Sequence, residues 1–220
     1  MLKLPIIVVN CKAYDNCVGD GAIRLAQVCE KVAKRTGVTI AVAVEAADIY
    51  HVRMAARIPV FAQHVDPVAP GAHTGATLAK SVKDAGAVGT LLNHSEKKLA
   101  FPQFKDALSR AKEAGLLVLA CAATPEEAKK IAAQKPDLIA IEPPELIGGD
   151  ISVSKAKPEV ITATTKAIKA IPILCGAGIK TKEDVAKAVK LGAQGILVAS
   201  GVTKAKKPEQ VLLDFAAGLG

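Results

Sequence analysis

Asn10, Lys12, His94, Glu96 and Glu142 carry the side chains whose types and positions could do acid/base chemistry. Each follows a short apolar, β-branched run. Glu142 closes the run Leu138–Ile141 and is followed at once by Pro143 and Pro144, then by Gly148-Gly149. A carboxylate is seldom set against a core without a partner or a job. Taken singly, Lys12 could be a rim lysine, His94 a hydrogen-bonded structural histidine, and Glu96 a helix-start carboxylate. Two later runs end on small residues, Gly176-Ala177-Gly178 and Ala199-Ser200-Gly201. These could be tight turns. As a pair, each entering a helix, they suit a phosphate site made of backbone N–H groups. A phosphate grip beside a lysine, a histidine and a carboxylate fits proton abstraction next to a carbonyl, with the enolate stabilised by protein donors.

The elements that must position these groups repeat with a regular beat. Apolar runs at 6–10, 38–44, 59–63, 88–93, 116–121, 138–141, 171–175 and 195–199 read as strands. Between them lie Ala/Lys-rich amphipathic stretches with explicit helix signals. Phe104, Ala107, Leu108, Ala111 and Ala114 share one face, with Pro102 near the first turn and Gly115 as a stop. Thr124, Pro125 and Glu127 predict a capping box, and Thr181 with Gly192 repeats the plan. Strands alternating with single helices imply parallel strands joined by right-handed crossovers. Eight β/α units in 220 residues predict one α/β domain over 1–220, a single (β/α)8 barrel. An open doubly wound sheet is the alternative, but no G-x-G-x-x-G follows the first strand.

Bulk properties narrow the classes. No apolar run approaches the ~18 residues of a membrane span, and the N-terminal run lacks a signal-peptide cleavage site, so a cytoplasmic protein is expected. Five scattered cysteines without C-x-x-C predict free, mostly buried thiols, and four histidines without H-x-x-x-H spacing argue against a metal site. The net charge of +8 reads as solvated helix faces first and steering of an anionic substrate second. At 3% aromatic residues there is little material for base stacking, and no nucleic-acid partner is expected.

The motifs together resemble the triosephosphate isomerase family, in order and over nearly the whole chain. "NCK" (10–12) resembles its N-x-K, "NHSE" (93–96) its histidine motif, and "IEPPELIGG" (141–149) its catalytic-glutamate and lid segment. "CGAG" and "LVASG" resemble its two phosphate loops, and "GAHTG" (71–75) its third loop. "EPPELIG", "SKAKPE" and "ASGVTKAK" are most similar to the short archaeal form. The resemblance implies a cofactor-free, metal-free interconversion of dihydroxyacetone phosphate and D-glyceraldehyde 3-phosphate, in glycolysis and gluconeogenesis. It implies Glu142 as base, His94 as neutral electrophile, Lys12 as electrostatic stabiliser with Asn10 beside it, and Glu96 pairing with Lys12. Gly148, Ala177, Gly178, Ala199 and Ser200 would hold the phosphate. It also implies a homodimer or homotetramer, with Thr74 approaching the partner subunit's Lys12. Two segments depart from the family pattern. Gly149-Asp150 stands where Thr-Gly is usual, and Asp150 would repel a phosphate unless turned away. "VAVEAAD", with Val44-Glu45, replaces V-A-P-Q and is expected to lie away from the chemistry. Another phosphosugar barrel, such as an epimerase or an indole-forming synthase, and a catalytically dead, nucleic-acid-binding barrel are the competing readings.

Overall fold

The computed structural model describes residues 2–149 and 152–220. Asp150 therefore lies outside the described residues. Eight parallel strands close into a barrel, each bonded to the next in chain order and β8 back to β1. They are β1 (Ile6–Asn10), β2 (Thr39–Val44), β3 (Val60–Ala62), β4 (Gly89–Leu92), β5 (Leu117–Ala122), β6 (Leu138–Ile141), β7 (Ile173–Gly176) and β8 (Gly195–Val198). Every expected strand is present; β1 and β6 have the expected ends, and the others differ by one or two residues at an end. Asn93 leaves β4 because its backbone is left-handed, at φ 62°, which a strand cannot continue.

Around the barrel run α1 (Asp20–Thr36), α2 (Ile49–Ala55), α3 (Ala79–Asp84), α4 (Phe101–Glu113), α5 (Pro125–Ala132), α6 (Val153–Ala156), α7 (Pro158–Ala167), α8 (Lys182–Lys190), α9 (Ser200–Thr203) and α10 (Pro208–Leu219). In α1, buried Ala22, Leu25, Ala26, Cys29 and Val32 recur at helical spacing and face the sheet. Gly37 then ends the helix in a left-handed conformation, its N–H donating to the Ala33 carbonyl at 2.9 Å. The predicted capping box at α5 is only half made. The Thr124 hydroxyl accepts from Glu127 N, but the Glu127 carboxylate accepts from Ala123 N and also from Asn93 and Lys98. At α8 the box is complete, between Thr181 and Asp184.

Strand periodicity splits the core in two. Ile7, Val9, Ile40, Val42 and their counterparts point outward and pack under the helices. Ile6, Val8, Ala41, Ala43, Phe61, Leu91, Leu119, Cys121, Leu138, Ala140, Leu174 and Leu197 fill the barrel interior. Both faces of each strand are buried, which is why the runs read as continuously apolar. Burial of each large aliphatic side chain contributes about 1.5–3 kcal/mol. All five cysteines are free and buried.

Counting in twos along the inward series gives the upper layer of the barrel. Ile6 and Val8 lead to Asn10, Leu119 leads to Cys121, Leu138 and Ala140 lead to Glu142, and Leu174 leads to Gly176. Asn10 and Glu142 thus continue the inward series at the carboxyl ends of β1 and β6.

Candidate active site

A small cavity, about 30 Å³, opens at the carboxyl ends of the strands, lined by Asn10, Lys12, His94, Glu142, Gly148 and the loops after β7 and β8. Ala177, Gly178, Ala199 and Ser200 are among its lining residues. Glu96 reaches it through Lys12. Thr74 does not belong to it, since residues 71–75 are exposed in the loop between β3 and α3.

Lys12 sits in a left-handed backbone conformation, φ 50°, which for a non-glycine residue costs on the order of 1–3 kcal/mol. Two side chains hold it there. Asn10 Oδ1 accepts from Lys12 N at 3.0 Å, and Gln63 Nε2 donates to the Lys12 carbonyl at 3.0 Å. The Lys12 ammonium then meets Glu96 Oε1 at 2.7 Å. Asn10 therefore shapes the turn that presents the lysine, and Gln63 from the end of β3 shares that work.

The His94 ring has a defined proton. Its Nδ1 accepts from Glu96 N at 3.2 Å, within the turn of residues 95–97, so the remaining proton is on Nε2. Nε2 faces Glu142 Oε2 at 3.9 Å across the cavity. Burial is the largest influence on the ring and lowers its pKa; Glu96 opposes this and Lys12 reinforces it. A neutral imidazole whose Nε2–H points into a dry cavity can donate a hydrogen bond to a carbonyl oxygen.

Glu142 is 7% exposed and its Oε2 has no hydrogen-bond partner. Burial raises its carboxyl from the ordinary 4.5 to about 7; the Cys121 thiol and Lys12 pull it down and Glu96 pushes it up. A carboxylate in that range, with one oxygen free, is suited to take a carbon-bound proton near neutral pH. Residues 138–142 supplied no reason to expect a thiol beside it. Cys121 was hidden in the β5 run, although the period of two from Leu119 would have placed it inward.

Room for Glu142 comes from Gly176. A Cβ at Gly176 would lie 2.3 Å from Glu142 Cγ and 2.4 Å from its Oε1. The nearest obstructing atom is Cγ of a buried side chain, so Gly176→Ala is expected to displace the carboxylate at a cost in stability. Turnover of the folded variant should fall about 10²-fold, the scale of a 1 Å misplacement, with a lowered melting temperature.

Backbone geometry builds the other end of the cavity. Ala177 and Gly178 are both left-handed, at φ 70° and 68°, and Gly148 is at φ 73°. Ser200 opens the short α9 directly after β8. After β7, by contrast, residues 177–181 intervene before α8, so that loop does not enter its helix at once as expected. Its path is set by the left-handed backbone at Ala177 and Gly178. The two loops are in close contact, since a Cβ on Gly201 would be 2.6 Å from the Ile179 carbonyl oxygen.

The segment after β2 is nearer the site than its sequence suggested. Glu45, Ala46 and Ala47 line an open cavity that shares Asn10, Lys12, His94 and Glu96 with the site region. It lies beside Lys12 because β2 pairs with β1, with Ala43 opposite Asn10.

A family model described as triosephosphate isomerase matches residues 5–216. The chain belongs to the triosephosphate isomerase family. It is 50% identical over 217 residues to the triosephosphate isomerase of Saccharolobus solfataricus, covering 97% of this chain and 96% of that one. Against the triosephosphate isomerase of Methanocaldococcus jannaschii it is 44% identical over 214 residues, covering 96% and 98%. The Sulfurisphaera tokodaii triosephosphate isomerase is 48% identical over 217 residues, covering 97% and 95%. Membership makes the chain an isomerase, the glycolytic enzyme of that family, built on a single eight-stranded barrel.

Proposed function

We propose that the chain interconverts dihydroxyacetone phosphate and D-glyceraldehyde 3-phosphate through an enediolate, without a cofactor, using the residues of this cavity. Glu142 moves the proton between adjacent carbons. His94 donates from Nε2 to the carbonyl oxygen, and Lys12, held by Asn10 and paired with Glu96, stabilises the negative charge that develops. Gly148, Ala177, Gly178, Ala199 and Ser200 bind the phosphate through backbone N–H groups. The segment from Pro143 to Gly149 closes over the enediolate, which would otherwise lose its phosphate in water.

The observation that carries this reading is the pairing of an unpartnered, buried Glu142 oxygen with the Nε2–H of a neutral His94, 3.9 Å apart. The test is conversion of glyceraldehyde 3-phosphate followed directly, with inorganic phosphate as inhibitor. Competitive inhibition is expected; inhibition indifferent to substrate concentration would remove the phosphate loops from the proposal.

For assembly we propose at least a homodimer, in which Thr74 reaches the partner subunit's Lys12. The exposed loop 71–75 and the open cavity lined by Lys12, Gln63, Glu45 and Glu96 support that arrangement. A tetramer is the further possibility, and exposed Phe101, stacked on Phe104, offers apolar surface for it. Light scattering after gel filtration decides among these; a monomer at micromolar concentration would refute the dimer. Residues 1–220 are proposed to unfold as one domain. Among the described residues no helix is long and apolar enough to cross a membrane, and a cytoplasmic location is proposed with it.

A further inference from the structure

Asp184 has more to do than cap a helix. One of its oxygens makes the expected cap: Oδ2 accepts from Thr181 N at 3.0 Å and from Lys180 N at 3.1 Å. The other turns away from α8. Oδ1 accepts from the Ser152 hydroxyl at 2.8 Å and meets the Lys155 ammonium at 2.8 Å. The Asp184 carbonyl oxygen accepts from the Ser154 hydroxyl at 3.1 Å. Ser152, Ser154 and Asp184 are 1%, 0% and 2% exposed, so the two serine bonds are made away from solvent, while the Lys155 side chain is half exposed. Ser152 stands at the N-cap of α6, where a serine would ordinarily accept from the helix's own N–H groups. Here it makes no such bond, and its hydroxyl serves Asp184.

The two segments joined in this way have separate tasks in the proposed reaction. Residues 152–155 follow the lid. Residues 177–181 form the phosphate loop after β7. A direct bond reinforces the joint, with Val153 N donating to the carbonyl of left-handed Ala177 at 3.2 Å. The lid has a second tie in the ion pair of Glu145 with Lys157 just beyond α6.

We propose that Asp184 is a positioning residue that binds the far hinge of the lid to the phosphate loop, so that phosphate seating and lid closure occur as one event. The inference rests on the proposed function. It adds a physical coupling: the hinge cannot shift without pulling on Ala177, and a phosphate that fixes residues 177–178 thereby fixes where the lid pivots. A residue that only capped α8 would need one oxygen, and the Ser152 and Lys155 bonds would be idle.

The test uses Asp184→Asn and Ser152→Ala in the full-length protein. Three quantities are read: the inhibition constant of inorganic phosphate, KM against kcat, and the share of turnovers that end in free phosphate. In that side reaction the enediolate expels phosphate with the electrons of its C–O bond, leaving the enol of a three-carbon ketoaldehyde. Asp184→Asn is expected to weaken phosphate inhibition and raise KM about tenfold, and to increase the side reaction, since a loosened hinge misplaces the lid. Ser152→Ala should move all three in the same direction by a smaller factor. A purely structural role would lower the melting temperature and leave the free-phosphate share unchanged. If Asp184→Asn does not fold, Ser152→Ala decides, because it keeps the charge and the cap. Parental phosphate inhibition and parental free-phosphate share in a folded variant overturn the proposal. Glu142→Asp serves as the companion: loss of turnover there upholds the proposed base whatever Asp184 does, and absence of turnover in the parental protein would instead strike the proposed function.

Discussion

Replacing Glu142 by Asp is expected to lower kcat by about 10²-fold or more while leaving the melting temperature and phosphate inhibition close to parental. One methylene is removed, which draws the carboxylate back by roughly 1 Å from a carbon acid it must reach at hydrogen-bond distance. The fold has little reason to respond, because the strand register that carries residue 142 is set by the β5–β6–β7 pairing. Phosphate inhibition has little reason to respond either, because that end of the cavity is built from backbone. Glu142→Gln should lose more, within the 10²–10⁴ range of a missing general base. Steady-state kinetics on the two variants check this, and near-parental kcat in Glu142→Asp would mean another group takes the proton.

The second large effect is on pH. The proposed base must be ionised, and burial has moved its carboxyl to about 7. The kcat/KM profile of the free enzyme should therefore turn down near pH 7 and fall about tenfold per unit below it. The second ionisation of the substrate phosphate, near 6, will steepen the limb further. Burial lowers the His94 pKa, which favours the neutral ring at and above pH 7. Stability should move the other way. The folded state binds the Glu142 proton more tightly than the unfolded chain does. This group's contribution is fully present below about 4.5 and is lost as pH rises through about 7. Glu142→Gln removes that dependence. Relative to the parent, the variant should gain stability between pH 5 and 8, on the order of 3 kcal/mol at most. Denaturant titrations at the two pH values measure it; a difference independent of pH would show that residue 142 is not held in a desolvating site.

The fold was legible because its signals are local and repeated. Eight β-branched runs, with Pro near helix starts and Gly at helix ends, leave few topologies open to a parallel sheet. Asn10, Lys12, His94 and Glu142 were legible for a related reason: a polar group directly after an apolar run must emerge at the mouth. What sequence did not show depends on pairs of elements. Gly176 looks like half of a turn until Glu142 from the neighbouring strand is placed beside it. Cys121 reads as one more buried thiol until its register is known. Asp184 reads as a cap residue, and its second oxygen acquires meaning only when Ser152 and Lys155 arrive from a different loop. Glu45 carries no motif that ties it to the chemistry, yet β2 lies directly against β1 and brings it beside Lys12.

The inward series that ends on Glu142 has a further consequence. Side chains on a strand change face at every residue, so a slip of β6 by one position would turn Glu142 toward the helices and bring Ile141 or Pro143 to the mouth. Ala140 opposite Cys121 and Ile141 opposite Cys175 are therefore alignments with a chemical meaning. The stagger of the barrel works as a vernier that sets where the carboxylate stands. Substitutions deep in the staves, far from any substrate, could detune the reaction by shifting that scale by a single notch.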